Sequence, residues 1–243
     1  RATLNHPGIQ SLSADLIYGL PGSSTESALS DLNELLDFGV PHLSLYALML
    51  EPETPMAHQV HRGLVQLPDD DLVADQGEAL LERIEESSLE LYEISNAGKR
   101  GHWAIHNALY WHMRPYLGLG MGAHGLEPVD GLPGFQRRRN QKRLQGYLDA
   151  PLRADELEHL SSEAWLKDGL LVRPRWLDGF NPSDFDTWAT AAQRSAISGA
   201  IDSLLADNLL IRKGPNVALS RRGQMLSNSV SLRLFEAIEG MTS

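Results

Sequence analysis

The segment SADLIYGLPGSSTE, residues 13–26, decides the fold of this chain. Its apolar first half predicts a buried strand over residues 14–18, and the glycines after it predict a tight turn. The letters SSTE then predict the start of a helix, with Ser23 as the capping residue and Glu26 three positions later. Leucine and alanine recur after this point at the spacing of an amphipathic helix.

A second strand follows that helix. Gly39 and Pro41 predict the helix end, and HLSLYAL at residues 42–48 predicts the next strand. A strand, a helix and a strand in this order indicate a parallel sheet or a segment of a barrel. Ligands of such folds collect at the carboxyl ends of the strands, which here are residues 19–22 and 48–51.

The rest of the first 150 residues alternates between helical and extended patterns. A proline-rich loop at residues 51–55 leads to a helix after LPDDD, and residues 89–95 predict a strand. HNALYW, residues 106–111, predicts a ligand-side loop or a short helix. Five basic residues are predicted to head a further helix: Arg137, Arg138, Arg139, Lys142 and Arg143.

Composition limits the class of protein. The 243 residues fit one large domain, or a large domain with a small one, and 42% of them are hydrophobic, which is enough for a core. A net charge of -11 argues against general affinity for nucleic acid or anionic membranes. No apolar run is long enough for a transmembrane helix. The chain opens without Met and without a signal leader, so it is interpreted as cut from a longer, cytoplasmic protein.

The chain contains no cysteine. Disulfides, thiolate zinc sites and cysteine-ligated iron–sulfur clusters are therefore excluded within it. No zinc-binding histidine motif and no GxSxG nucleophile motif is present either.

The pattern changes after Pro151. Residues 1–150 are predicted as an α/β domain, and residues 151–243 as a small, mostly helical domain with a short strand–turn–strand wing around residues 214–216. A winged-helix nucleic-acid binder is one interpretation of this tail. The overall acidity and the lack of a basic recognition helix argue against it.

HNALYW and the glycine run YLGLGMGAH (residues 116–124) are the segments best suited to a ligand. They combine a metal-competent imidazole, an amide, two aromatic rings and a flexible backbone, which suits a metal-bearing porphyrin. The residues concerned are His106, Asn107, Tyr110 and Trp111. The alternative is a surface loop with two aromatic residues in the core.

Three other features also allow two interpretations. Asp15 leads an apolar strand, so it either binds ribose hydroxyls or serves as a cap or an ion-pair partner. The turn at residues 19–22 either holds an anion at a helix start or is purely structural. The basic cluster at residues 137–143 either meets propionates and phosphates or forms a solvated helix face.

Taken together and in order, the motifs resemble the oxygen-independent coproporphyrinogen III oxidase-like radical SAM family. The similarity covers the later two-thirds of that family and is greatest to its branch of heme chaperones, called HemW. The segments that carry it are DLIYGLPG (15–22), HLSLYAL (42–48), EPETP (51–55), YEISNAG (92–98), HNALYW (106–111), YLGLGMGAHG (116–125) and RRRNQKRLQGYLDA (137–150).

The resemblance implies the later part of a partial (β/α) TIM-like barrel followed by a winged-helix-like C-terminal domain. It implies that Asp15 and Met49 contact S-adenosylmethionine beside a [4Fe–4S] cluster. It also implies that the HNxxYW residues bind heme, with His106 as the ligand to the iron. Heme would be passed to acceptors such as membrane respiratory enzymes by a cytoplasmic protein, with a homodimer as one expected state.

The chain also departs from this family. The CxxxCxxC motif that binds the cluster is absent, so the chain is not expected to catalyse radical chemistry by itself. YEISNAGKRG differs from the usual YEISNFA. The alternative parent is an oxygen-independent coproporphyrinogen III oxidase, which anaerobic turnover by a full-length protein would indicate. Missing upstream strands would leave an open edge beside the Asp15 strand, so association is expected, and a cooperative melt of a clean monomer would contradict it.

Overall fold

The computed structural model describes His6, residues 8–129 and residues 134–240. The chain folds into two compact units, one ending at Trp103 and one beginning at Ala104. The boundary predicted near residue 150 lies inside the second unit. The first unit has one sheet and the second has two, and each unit has its own buried side chains.

The first unit is a small sheet with helices packed on it. Its strands and helices, in chain order, are β1 (Ser13–Tyr18), α1 (Thr25–Asp37), β2 (His42–Ala47), α2 (Pro55–His61), α3 (Asp70–Glu85), β3 (Glu90–Leu91) and β4 (Asn96–Gly98). The sheet order is β1-β2-β4-β3. β1 and β2 are parallel, as the β-α-β pattern predicted, whereas β4 runs antiparallel to β2.

The two faces of this sheet differ in chemistry. Leu16 of β1 is buried in a core with Leu32 of α1 and Leu80 of α3, so helices cover this face. Asp15 alternates to the opposite face, where the parallel register places it beside Ser44. β1 is an edge strand among the described residues, as the sequence predicted, and Ile17 on it is exposed.

Local details of the first unit differ from the sequence predictions. The helix cap is Ser24, paired with Ser27, one residue later than the predicted Ser23 and Glu26, because Ser23 is held by the turn before it. The proline-rich loop contains the short helix α2, which Thr54 caps. The strand predicted over residues 89–95 is only the two-residue β3, because the chain reverses to form β4.

The second unit contains two further sheets and most of the helices. Its elements are α4 (Ile105–Trp111), β5 (His124–Pro128), β6 (Phe135–Asn140), α5 (Leu144–Asp149), β7 (Ala154–His159), α6 (Ser162–Val172), α7 (Ala191–Ala206), β8 (Leu210–Lys213), β9 (Asn216–Leu219), α8 (Arg221–Met225) and α9 (Ser227–Glu236). β5, β6 and β7 form an antiparallel sheet. β8 and β9 form the predicted strand–turn–strand hairpin.

The predicted place of the basic cluster at the head of a helix was wrong for Arg137, Arg138 and Arg139, which lie in a strand, whereas Arg143 is the N-cap residue of α5. Arg137 and Arg139 are in β6, and only the later α5 is helical. β7 supplies carboxylates across the ladder, with Glu158 opposite Arg137 and Glu156 opposite Arg139. Opposite charges facing each other stabilise such a pair of strands. This long-range pairing also explains why the second unit extends across residue 150.

The C-terminal part of the second unit has a core formed by helices. Leu166 of α6, Leu204 of α7 and Leu234 of α9 are fully buried, and α6 and α7 both pack on α9. Phe180 joins the β8–β9 hairpin through paired backbone hydrogen bonds with Val217. Among the described helices, none has both the length and the apolar character needed to cross a membrane.

Candidate functional site

The HNALYW segment forms the short helix α4, as one of its two predicted states required. His106 and Tyr110 are four residues apart and therefore lie on one face of that helix. His106 Nε2 is hydrogen-bonded to the Tyr110 hydroxyl at 2.7 Å. Tyr116, from the glycine run, completes the group, because its ring packs edge-on against Tyr110 at 4.6 Å and lies 5.8 Å from His106. These three residues are called the α4 cluster below.

Asn107 follows His106 and Trp111 follows Tyr110 in the sequence, so both lie on the neighbouring face of the helix. The structure therefore does not bring all four motif residues to one point. Trp111 packs under the guanidinium of Arg175, which lies 5.5 Å from the centre of its ring. The indole Nε1 of Trp111 is buried and has no hydrogen-bond partner among the described residues.

A cavity of about 260 Å³ adjoins the α4 cluster. Apolar and aromatic side chains form most of its wall, including Leu109, Tyr110 and Tyr116. Its charged side chains are Arg137 and Asp168, which form an ion pair at 2.5 Å. Burial raises the pKa of the Asp168 carboxyl, and the Arg137 charge opposes that shift. Burial, with a smaller contribution from Tyr110, also raises the pKa of the Tyr116 hydroxyl.

The glycine run holds Tyr116 beside α4. Tyr116 and Leu126 exchange backbone hydrogen bonds of 2.9 Å, and the side-chain amide of the buried Asn140 donates to the carbonyls of Gly118 and Gly120. The sequence pattern predicted no role for Tyr116 in the site. The signal was an aromatic residue directly before a flexible segment.

The arginines of β6 are already paired within the second unit. Arg139 bonds to Glu156 at 2.8 Å and to Asp155 at 3.3 Å, and Arg137 bonds to Asp168. Any anionic ligand would therefore have to compete with these carboxylates. This pairing does not favour a site for propionates or phosphates on these arginines.

Asp15 and Met49 belong to the first unit. Asp15 is exposed on the sheet face away from the helices, and Met49 lies after the end of β2 with 81% of its surface exposed. Met49 therefore lies near the carboxyl end of the strands, where ligands of such folds collect, whereas Asp15 lies in the middle of β1. Their predicted contact with S-adenosylmethionine stays a prediction.

A chain of polar side chains crosses the Asp15 face of the sheet. His42 is 3% exposed, and both of its ring nitrogens have partners: Ser13 Oγ at 2.7 Å and the Tyr92 hydroxyl at 2.8 Å. The Tyr92 ring stacks on Trp103 with centroids 4.9 Å apart. Sequence reasoning placed His42 and Tyr92 in strand motifs but did not predict that they meet.

The glycine turn after β1 is held by Gln76 of α3. Gln76 is fully buried, accepts a hydrogen bond from Gly19 N at 2.8 Å and donates to Ser23 Oγ at 3.1 Å. The backbone N–H groups of Ser24 and Ser27 are used in the helix cap. Because these donors have partners within the protein, the structure favours the structural interpretation of the turn over an anion site.

We expect the first unit to lose stability as the pH falls. Burial lowers the pKa of His42, an effect that the charge of Asp15 opposes and that of His102 reinforces. The folded state thus favours neutral His42, so its contribution is complete above about pH 6.5 and is lost as the pH falls through the lower folded pKa. Pulse proteolysis in urea at about pH 7.5 and about pH 5.5, with fragments identified by mass spectrometry, measures this.

His42→Gln should weaken this pH dependence, because glutamine does not titrate in this range. The matched control is His58→Gln, which removes an exposed histidine of α2 from the same unit. An equal loss of stability between the two pH values in wild type and His42→Gln would contradict the assignment.

The donor atoms of the chain do not fit an iron–sulfur cluster. The sequence has no cysteine, and within the described residues no group of three or more histidine and acidic side chains is placed to hold a metal ion. A heme iron needs fewer protein ligands, because the porphyrin itself supplies the ligands in its plane. The imidazole of His106, the aromatic rings beside it and the apolar cavity are compatible with heme.

Several proteins with sequences similar to this chain are named as heme chaperones. No protein-family model matches the chain. The protein named "Heme chaperone HemW" from Lactococcus lactis is 29% identical over 93% of this chain and 59% of its own length. The protein of the same name from Mycobacterium tuberculosis is 31% identical over 92% of this chain and 55% of its own length. The chain thus spans a little over half the length of these relatives.

Solved structures give the fold. The chain superimposes on coproporphyrinogen III oxidase (HemN) from Escherichia coli, described as a radical SAM enzyme, with a TM-score of 0.69. The match covers 93% of this chain and 55% of that protein at 15% identity, so it supports the fold alone. The chain therefore has the mixed α/β fold of HemN-like radical SAM proteins.

The sequence relatives indicate which branch of the HemN-like radical SAM proteins this chain resembles. The resemblance to the coproporphyrinogen III oxidase-like radical SAM family is confirmed, and within it the chain is a relative of the heme chaperones named HemW.

Proposed function

We propose that this chain is part of a HemW-like heme chaperone and that its second unit binds heme at the α4 cluster. One observation carries this proposal. His106 Nε2 and the Tyr110 hydroxyl lie 2.7 Å apart, and Tyr116 and an apolar cavity lie beside them. Heme is the cargo here, not a catalytic group. The names of the relatives support heme as the ligand.

In this proposal, the imidazole of His106 binds the iron, and the rings of Tyr110 and Tyr116 lie beside the porphyrin. Trp111 and Asn107 would then act from the neighbouring helix face, by packing α4 against the rest of the unit. Because Tyr110 already occupies His106 Nε2, iron binding through that nitrogen requires the hydrogen bond to open. Removal of the Tyr110 hydroxyl tests this requirement.

Hemin titration of the full chain, followed by the Soret absorption, tests the proposal. His106→Ala should lower the affinity at least about tenfold and shift the Soret band. The control is His159→Ala, which removes an exposed histidine of β7 in the same unit and should bind as wild type does. Equal spectra and affinities for both variants would exclude His106 as a ligand.

Tyr110→Phe refines the same test. It keeps the ring but removes the hydroxyl that competes for His106 Nε2, a hydrogen bond with a net value of about 1 kcal/mol. Hemin affinity should therefore rise several-fold. A fall in affinity would show that the tyrosine hydroxyl itself contacts the bound heme.

The wider role is proposed from the same resemblance. We propose a cytoplasmic protein that passes heme to acceptors such as membrane respiratory enzymes, with a homodimer as one state. A partial (β/α) barrel around the Asp15 sheet and a winged-helix-like C-terminal domain at residues 151–243 are also proposed. Spectroscopic measurement of heme transfer to an apo-acceptor tests the transfer. Equilibrium sedimentation tests the dimer.

Enzymatic decarboxylation of coproporphyrinogen is the alternative function. The structure supplies no specific observation in its favour, since the match to HemN concerns the fold alone. S-adenosylmethionine and a [4Fe–4S] cluster are expected of full-length relatives, and this chain contributes no thiolate to such a cluster. No chemical step through the cluster is assigned to this chain.

A further inference from the structure

A second cavity of the second unit, about 350 Å³ in volume, shares Met113 and Trp165 with the cavity beside the α4 cluster. It is called the arginine cavity here. Its wall is formed by the segment after α4, by β6, by α6 and by the turns after α6. The arginines and aromatic residues that line it are Arg114, Arg173, Phe135, Trp165, Phe185 and Trp188.

Flat aromatic surfaces form one part of the arginine cavity. The rings of Phe135 and Trp165 are stacked, with centroids 4.3 Å apart and planes inclined by 8°. Trp188 lies 5.7 Å from Trp165 at an inclination of 47°. Aromatic walls of this kind bind planar rings, by stacking and by edge-to-face contact.

Positive charge forms the other part. Arg173 is bonded to Asp184 at 2.5 Å, whereas the exposed Arg114 has no ion-pair partner among the described residues. Burial, and then the charges of Arg173 and Arg114, lower the pKa of His112, which Asp178 opposes. With His112 neutral, the unpaired Arg114 leaves the wall with a net positive charge. A guanidinium in such a position binds carboxylate or phosphate groups well.

The wall also contains a strained backbone position. Met113, directly after the end of α4, has φ 52°, which places a non-glycine residue in the left-handed region. Glycine is the usual residue at this point of a helix end. Residues held in such conformations concentrate at ligand sites, where the surrounding structure keeps them in place.

We propose that the arginine cavity binds a small planar aromatic anion, which consists of one or two fused rings with a carboxylate or phosphate group. The ring packs against Trp165 and Trp188, and the acidic group bonds to Arg114. The volume is near the lower end of the range for small-molecule pockets, so it accommodates a ligand of this size. The proposal does not rest on heme binding at the α4 cluster, although the two cavities share Met113 and Trp165.

Indole-3-acetate and adenosine 5′-monophosphate are suitable probes, because they present a fused ring with a carboxylate and with a phosphate, respectively. Titration of the ¹⁵N-labelled 243-residue chain is followed at the five indole N–H signals. We expect the signals of Trp165 and Trp188 to shift and that of Trp103, in the other unit, to stay. Shifts with only one probe would support the site and identify its acidic group.

Three variants test the role of the charges. Arg114→Gln should weaken binding roughly tenfold or more, because it removes a charge-assisted hydrogen bond. Arg153→Gln, which removes an exposed arginine of the same unit, is the matched control and should bind as wild type does. Asp184→Asn releases Arg173 and should tighten binding several-fold.

Two results would overturn the proposal. The first is the absence of any shift at Trp165 and Trp188 with either probe at millimolar concentration. The second is equal affinity of Arg114→Gln and Arg153→Gln, which would remove the anion-binding role of Arg114.

Discussion

Replacing Gly118 with alanine is expected to destabilise the second unit by about 3 kcal/mol and to weaken the heme binding proposed for the α4 cluster. A Cβ at position 118 would lie 2.3 Å from the carbonyl oxygen of His124 and 2.6 Å from its carbonyl carbon. These are backbone atoms of the first residue of β5, so they cannot rotate out of the way. The glycine run must therefore move away from the strand.

That movement affects the candidate site because Gly118 is two residues from Tyr116. Separation of the run from β5 would break the 2.9 Å backbone hydrogen bonds between Tyr116 and Leu126. Tyr116 would then leave its edge-on contact with Tyr110. We expect hemin affinity to fall together with stability.

Urea unfolding followed by tryptophan fluorescence measures the first effect, because four of the five tryptophans belong to the second unit. The control is Gly199→Ala in the exposed part of α7, where an added Cβ meets no atom within 4 Å. This change should stabilise the unit by about 0.5–1 kcal/mol, because alanine favours helix. A Gly118→Ala variant as stable as wild type would contradict the expected clash.

Gly179→Ala is expected to destabilise the second unit by about 4 kcal/mol, which is more than Gly118→Ala. Gly179 has φ +79°, which alanine adopts at a cost, and its Cβ would lie 2.2 Å from the carbonyl oxygen of Val217. That carbonyl accepts the 2.9 Å hydrogen bond from Phe180 N, which joins the loop to β9. The fully buried Phe180 ring would be displaced with the loop.

Gly214→Ala separates the two causes of this destabilisation. Gly214 lies in the turn between β8 and β9 with φ +60°, but no atom lies within 4 Å of its added Cβ. It should cost only about 1 kcal/mol, from backbone strain. The difference between the two variants in urea unfolding then gives the cost of the clash at Val217. Equal losses in both would show that backbone conformation alone accounts for the effect.

The candidate site could be predicted only in part. His106 and Tyr110 are four residues apart, so their contact follows from the helical period once HNALYW is helical. The same period places Asn107 and Trp111 on the neighbouring face, which separates the four motif residues. Tyr116 reaches the cluster only because the glycine run folds back on β5. The hydrogen bonds that fix this fold connect residues far apart in the sequence.

Local chemistry in the sequence was sufficient for the β-α-β unit and for the end of α1. Apolar periodicity determines which side of α1 is buried, and Gly39 with φ +74° ends the helix in the way that glycine permits. The same kind of local signal predicted the β8–β9 hairpin. These features depend on neighbours within a few residues.

Tertiary structure alone decided the remainder. Arg137 and Arg139 lie in a strand because β7 presents Glu158 and Glu156 across the ladder, a partner choice that no local pattern specifies. Gln76 stabilises the glycine turn through a hydrogen bond to Ser23, which is 53 residues away in the sequence. The physical reason is the same in each case: a hydrogen bond or ion pair stabilises a conformation only when the chain has already brought the distant partner into place.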